Sequence, residues 1–361
     1  MLTSWRDRPL ADLLAAHDLA GLPERDFQTD GWSGATFTTI DRGDRRFVLK
    51  RISLATDWIA VATRDQDRRE AWIATVGGEA RLPTPYLGAA ADGDDALVLT
   101  PDLSVELIAW ERSGPEPAVD EAILGRVVRA IARLHATPWS RDLGAAAPAD
   151  AREATAPPWC PLAERLSLLT RPSATRYAAA GNPVGERFLA GWDAFERLAP
   201  PAARRIVDEL SADPGPLVAA LEALPSAGLH GDLKLANVAL FDDGDVAFID
   251  WQMTLEAPIA VELGWFLVSN TDSLPSTAED TLAAYAAAAA ESPKRDAAAA
   301  VRPGAGDWDA QVDLAMLVGI LLRGWRKGLD TAAGAVLASG MAAEDDLAWW
   351  CERAVAAARR L

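Results

Sequence analysis

The spacing of apolar residues changes character along the chain, and that change divides it. A short helical pattern at residues 10–17 ends at Gly21 and Pro23. From Phe27 the pattern becomes alternation: Thr36-Phe37-Thr38-Thr39-Ile40, the turn Asp41-Arg42-Gly43-Asp44, then Arg46-Phe47-Val48-Leu49-Lys50-Arg51-Ile52. Alternation on both sides of a glycine turn predicts a β-hairpin. A helix-compatible stretch at residues 57–76 follows, with Trp72, Ile73 and Ile59 or Val61 as a buried stripe around Glu70. Leu82-Pro83-Thr84-Pro85-Tyr86-Leu87 reads as a constrained extended segment, followed by the turn Asp92-Gly93-Asp94-Asp95 and the strand Ala96-Leu97-Val98-Leu99-Thr100. Pro101-Asp102-Leu103 breaks that strand, and a boundary between two units is expected near residues 100–105.

Beyond it the period becomes helical. Ile123, Val127, Val128, Ile131 and Leu134 share one face of a helix at residues 121–137. Residues 138–160, rich in Pro, Ala and Asp, read as a long loop that can border a cleft. Helices are expected near residues 185–198, 202–210 and 216–224. A hairpin then follows: Val238-Ala239-Leu240-Phe241, the turn Asp242-Asp243-Gly244-Asp245, and Val246-Ala247-Phe248-Ile249. Helices near 259–269, 277–290, 310–327 and 341–361 complete the chain. At 361 residues there is enough chain for two cores. The expectation is an α+β protein: an N-terminal antiparallel sheet with a helix, residues 1–103, then a larger and mainly helical part, residues 104–361.

Composition narrows the function classes. Half of the residues are apolar, but no run approaches the roughly 18 residues of a membrane span. The first residues lack the three regions of a signal peptide. Two cysteines, Cys160 and Cys351, are too few for a disulfide framework, so a reducing, cytoplasmic setting is expected. His17, His135 and His230 lie too far apart in sequence for a zinc motif. A net charge of −18 opposes nucleic-acid binding, which needs a basic face, and permits a cationic substrate. Glu256, Glu262, Asp272, Glu279, Asp280, Asp307 and Asp309 add a slight tilt in that direction, although a solvated acidic surface has the same composition.

The chemistry concentrates in His230-Gly231-Asp232-Leu233-Lys234-Leu235-Ala236-Asn237 and, after the hairpin, Ile249-Asp250-Trp251. One irregular loop presents the Asp232 carboxylate and, a turn later, the Asn237 amide; the hairpin returns Asp250 to the same mouth. A carboxylate that accepts a hydroxyl proton, together with oxygen ligands for magnesium, is what phosphoryl transfer to an alcohol requires. Upstream, Gly31-Trp32-Ser33-Gly34-Ala35 sits at a strand-to-strand turn; it serves as an ordinary turn or offers backbone N–H groups to phosphates. Lys50 reads either as a solvated strand residue or as a phosphate ligand held by a carboxylate, for which Glu70 is the candidate.

Together these motifs resemble the aminoglycoside phosphotransferase and choline kinase-like family, small-molecule kinases with a bilobal protein-kinase-like fold. The resemblance covers roughly residues 25–270. It implies that Asp232 orients or deprotonates the acceptor hydroxyl and that Asn237 and Asp250 hold Mg2+. It implies that Lys50, oriented by Glu70, contacts the phosphates of ATP or GTP, and that Ser33, Gly34 and Ala35 cover them. Thr100, Asp102 and Leu103 correspond to the hinge. Lys234 departs from many relatives, which carry other residues there, and resembles protein kinases, where a lysine meets the transferred phosphate; a solvated loop lysine is the plain alternative. Gly231, in place of the arginine usual in protein kinases, points to a small-molecule acceptor. His230 is expected to shape the loop. Glu262, where relatives often have aspartate, is expected to stabilise it.

The expected activity is therefore transfer of a γ-phosphoryl group to a hydroxyl of an aminoglycoside, amino sugar or related polar or cationic alcohol. A metabolic sugar, choline-like alcohol or hydroxy amino acid is the alternative acceptor. A nucleotide-binding pseudokinase module is the non-enzyme alternative, and the joint presence of Asp232, Asn237 and Asp250 argues against it. Among the 14 tryptophans, Trp251, Trp265 and Trp325, with Trp159 or Trp308, can line an acceptor pocket or fill the core.

Overall fold

The computed structural model describes residues 4–28, 31–109, 117–139, 157–291 and 306–361. The chain divides into two compact units that interleave in sequence. The first comprises Met1–Leu107, Pro138–Pro161 and Asn237–Leu255; the second comprises Ile108–Thr137, Leu162–Ala236 and Glu256–Leu361.

The first unit is built on a five-stranded antiparallel sheet in the order β1-β2-β3-β5-β4. Its strands are β1 (Glu24–Phe27), β2 (Thr36–Arg42), β3 (Arg45–Ile52), β4 (Gly88–Asp92) and β5 (Asp95–Pro101). Arg42 faces Arg45 and Asp92 faces Asp95, so each hairpin closes through a Gly-Asp pair, with Gly43 and Gly93 at φ +63° and +61°. Alternation gives the sheet two apolar faces. Ile40, Phe47, Leu49, Leu97 and Leu99 pack with Leu13 and Leu19 of the N-terminal segment, whereas Ile52, Ala96 and Val98 pack with Trp5, Ala71 and Ala74. Edge strand β1 was not expected, because all four of its residues are exposed and it carries no apolar alternation.

The single helix expected at residues 57–76 is two helices, α2 (Trp58–Ala62) and α3 (Arg69–Val76), after α1 at Leu10–Ala16. Two aspartates explain the break. Asp57 Oδ1 accepts the Ala60 amide and Asp65 Oδ1 accepts the Arg69 amide, so each helix has its own acidic start. Between them the chain passes through left-handed conformations at Arg64 and Arg68. The break turns Val61 to solvent, 57% exposed, rather than into the expected stripe, while Ile73 is buried. Hairpin β7 (Val238–Leu240) and β8 (Val246–Phe248) also belongs to this unit: Phe248 donates to the Pro83 carbonyl and Leu240 to that of Glu106.

The second unit is helical: α4 (Glu121–Ala136), α5 (Leu162–Ser167), α6 (Arg171–Ala179), α7 (Pro183–Leu198), α8 (Pro201–Ala212), α9 (Gly215–Glu222), α10 (Ala260–Asn270), α11 (Ala278–Ala290), α12 (Gly306–Ala332) and α13 (Ala343–Ala357). Strands β6 (Ser226–Leu229) and β9 (Leu255–Pro258) pair with each other. The long α12 is the axis. α10 reaches it through Gly264, where an added Cβ would lie 2.3 Å from the Ala315 carbonyl oxygen, and α7 through Gly191, where it would lie 2.4 Å from that of Trp325. Helices α5 and α6 were not foreseen; they are short and bury few apolar side chains, so they leave no helical period in the sequence. Most of the expected long loop, residues 140–156, lies outside the described residues. Among the described residues no helix is long and apolar enough to cross a membrane.

Candidate active site

In the first unit, antiparallel pairing carries Lys50 into the middle of β3, two residues before its end, with Phe37 and Val98 as cross-strand partners. Its ammonium group donates to Glu70 Oε2 at 2.6 Å and to Asp250 Oδ1 at 2.8 Å. The Glu70 side chain is 2% exposed and that of Lys50 12%. Burial is the largest influence on the Lys50 amine and favours its neutral form, yet Asp250 and Glu70 together outweigh it and raise its pKa. Lys50 is held as a cation between two carboxylates that lie 180 positions apart in the sequence.

Tyr86 completes this cluster. Its hydroxyl donates to Glu70 Oε1 at 2.6 Å and accepts the Asp250 amide at 2.8 Å. Burial, with Glu70 adding to it, drives the phenol pKa well above its ordinary value, so the group stays a donor. Asp250 itself adopts the left-handed conformation, φ +67°. Gln252 reaches back from the turn after it to donate to Asp57 Oδ2 at 2.8 Å. Asn237 is buried at the mouth of hairpin β7–β8, and its carbonyl accepts the Ile249 amide at 3.0 Å. The hairpin thereby sets an amide and a carboxylate at the same end.

The glycine segment is fastened to the start of α2. Trp58 donates its amide to the Ser33 carbonyl at 3.0 Å and its indole N–H to that of Trp32 at 2.5 Å. Gly34, at φ +92°, passes so close to residue 56 that a Cβ would lie 2.1 Å from the Thr56 carbonyl oxygen. Ser33 Oγ accepts the Ala35 amide at 3.3 Å. At the end of β5, Thr100 donates to the Val48 carbonyl, while Asp102 accepts the Ser104 amide and receives a long contact from Arg46, 3.9 Å. The Asp102 side chain is thus occupied in shaping its own turn.

Asp232 and Lys234 belong to the second unit. Asp232 is 5% exposed; its amide donates to His230 Nδ1 at 3.2 Å, and Lys234 Nζ stands 3.3 Å from its Oδ2. Glu262, wholly buried in α10, accepts the His230 amide at 3.1 Å and the Gly231 amide at 2.6 Å, and meets His135 Nε2 at 2.9 Å. Tyr285 closes the chain at His135 Nδ1, 2.8 Å. Burial alone would raise the Glu262 carboxyl, but the His135 contact, the charges of His135 and His230 and the Gly231 amide lower it. Arg165 Nε donates to the Gly231 carbonyl at 2.8 Å and Asn270 Oδ1 accepts the Leu235 amide at 2.9 Å, so the loop is held from several helices.

The first unit therefore brings together Lys50, Glu70 and Asp250, with Asn237 at the Asp250 end of its hairpin, and the second joins Asp232 to Lys234. Tyr86, Asp57, Gln252 and Tyr285 were not foreseen; for Tyr86 the available signal is the rigid Pro83-Thr84-Pro85 lead-in. Trp251, Trp265, Trp308 and Trp325 are buried, so the core role prevails for them. Trp159 is half-buried against Trp72 and Trp139.

The family model described as phosphotransferase enzyme family matches residues 27–301, about three quarters of the chain. The chain belongs to that family. The phosphotransferase is thus an enzyme, and the family expected from residues 229–251 is the one found. Among solved structures it is similar to an aminoglycoside-3'-phosphotransferase of type VIII, with 21% identity, TM-score 0.44 and coverage of 87% of this chain and 98% of that one. A choline kinase from Cryptosporidium parvum Iowa II gives 11% identity, TM-score 0.48 and coverage of 94% and 88%. An ethanolamine kinase from Plasmodium vivax gives 12%, 0.49, and 96% and 85%. No curated protein sequence matches the phosphotransferase.

Proposed function

We propose that the chain is a cytoplasmic small-molecule kinase that transfers the γ-phosphoryl group of ATP or GTP to a hydroxyl of a polar acceptor. The observation that carries this is the Lys50 ammonium, fixed between Glu70 and Asp250 in a chain of the phosphotransferase family. A buried lysine held charged is a ready partner for nucleotide phosphates, and Glu70 keeps it aimed when Asp250 turns to a metal. Ser33, Gly34 and Ala35 lie over the phosphates, and the backbone from Thr100 to Asp102 meets the base.

Asn237 and Asp250 suit Mg2+: they supply hard oxygen donors, too few to enclose the ion, and Mg2+ ordinarily keeps waters and phosphate oxygens as its remaining ligands. When bound, the ion neutralises charge on the β- and γ-phosphates. Asp232 accepts the acceptor's proton, and Lys234, 3.3 Å from it, meets the transferred phosphate. Glu262, by gripping the two amides before Asp232, positions that carboxylate.

Asp232→Ala is the direct test. Transfer should fall by about 10²- to 10⁴-fold, the usual worth of a general base, while nucleotide affinity measured by calorimetry stays essentially unchanged. Retained turnover would remove Asp232 from its role. Nucleotide binding with no transfer to any alcohol in a broad panel would favour a pseudokinase module.

A further inference from the structure

We propose that Arg323 anchors a negatively charged group, a carboxylate or phosphate, on the acceptor molecule. This rests on the kinase reading and narrows its substrate to hydroxyl compounds that carry an anion.

Arg323 lies on α12 with its guanidinium 5.5 Å from the ring centroids of both Trp265 and Trp325. Two indole faces fix a guanidinium plane without consuming its donors. Its Nε is buried and donates to nothing, and no carboxylate among the described residues forms an ion pair with it. The nearby acids are engaged elsewhere: Asp330 with Arg326 at 2.9 Å, Asp232 with Lys234 at 3.3 Å, and Asp272 with the Ser273 hydroxyl at 3.2 Å. Burial, and after it Arg326, pull the Arg323 pKa down to about 10 against the weaker support of Asp272, Asp330 and Asp232. Trp265, against which Arg323 rests, also meets Arg165, whose Nε holds the Gly231 carbonyl next to Asp232, so Arg323 lies on the side of this unit that carries that loop.

Leaving a largely buried cation without a counter-charge is costly, and the cost is unexpected in a chain of net charge −18 with so many acids available to answer it. An anion brought by the ligand answers it, and the guanidinium fork matches carboxylate and phosphate oxygens two at a time. A second arginine supports the site: Arg165 sits 4.5 Å from the Trp265 centroid while its Nε holds the Gly231 carbonyl. The same indole thus links the anion anchor to the loop that carries Asp232.

Matched acceptors in a coupled ADP-release assay test this: glycerol against glycerate and glycerol 3-phosphate, and ethanolamine against serine. Turnover should favour the members that carry a carboxylate or phosphate. Arg323→Gln should raise their KM about 10- to 100-fold, the loss of a charged hydrogen bond, with KM for ATP unchanged, and Arg323→Lys should restore part of it. Preference for glycerol or ethanolamine overturns the proposal. So does an Arg323→Gln defect in kcat or in KM for ATP that is equal for every acceptor, which would assign the arginine to the transferred phosphate. Titrating glycerate and glycerol against the tryptophan fluorescence of the nucleotide-bound protein reads the site independently of turnover. A response to glycerate, absent with glycerol and lost in Arg323→Gln, is expected; its absence from a chain that binds nucleotide overturns the anchor while the kinase reading stands.

Discussion

Tyr86 joins the lysine-glutamate pair to Asp250 through a single hydroxyl, donating to one carboxylate and accepting the amide of the other residue. Removing that oxygen leaves both groups short of a partner in a buried place. Tyr86→Phe should therefore lower kcat/KM by about tenfold or more, since a hydrogen bond to a charged group is worth about 1.5–3 kcal/mol, with steady-state kinetics as the check. Glu262 makes a prediction in pH. Its folded pKa lies below the ordinary carboxylate value, so it contributes stability that is complete above about pH 4.5 and is lost as pH falls through the lower folded value. Glu262→Gln should flatten that acid limb in urea titrations run between pH 3 and 6. Asp250 was legible from its place after the hairpin that follows Asp232 and Asn237, and Lys50, which alone also reads as a solvated strand residue, from the helix carboxylate Glu70 that follows it. Tyr86 was not, because a tyrosine entering a strand looks like packing, and its partners lie 16 and 164 positions away.

At the scale of elements, close approach matters more than propensity. Gly34 holds the loop before β2 against Thr56, and alanine there combines a left-handed backbone with a contact of 2.1 Å. At about 1–2 kcal/mol for the backbone alone, Gly34→Ala should displace the segment and raise KM for nucleotide about tenfold, without altering KM for the acceptor. Gly264→Ala tests a different seam. Its methyl group would meet the Ala315 carbonyl where α10 crosses α12, and overpacking of this kind costs about 1–3 kcal/mol, readable as a lower urea midpoint. The hairpins could be read from alternation and from Gly43, Gly93 and Gly244, and most long helices from their apolar stripes. The division of α2 from α3 could not, because Asp57 accepts the Ala60 amide and Asp65 the Arg69 amide only in the folded chain, where Arg64 and Arg68, between the two helices, are left-handed. Edge strand β1 and helices α5 and α6 escaped for the same reason: they bury too little to leave a period.

Across the whole molecule, the first unit is assembled from segments far apart in the chain, and ligand effects should follow the unit rather than the sequence. A non-hydrolysable nucleotide with Mg2+ should slow amide hydrogen exchange in residues 31–52 and in 248–253 together, because Lys50 and Asp250 are partners. Protection limited to the first of these would count against Asp250 as part of the nucleotide site. The return of residues 237–255 to that unit also bears on how the protein is made. A ribosome delivers the sheet long before it delivers hairpin β7–β8, so the Pro83 and Glu106 carbonyls must wait for Phe248 and Leu240, and Tyr86 and Lys50 for Asp250. A nascent chain that stops near residue 107 holds every strand of the sheet, yet its Lys50 has one carboxylate instead of two. The first unit can be completed only after about half of the second has been synthesised.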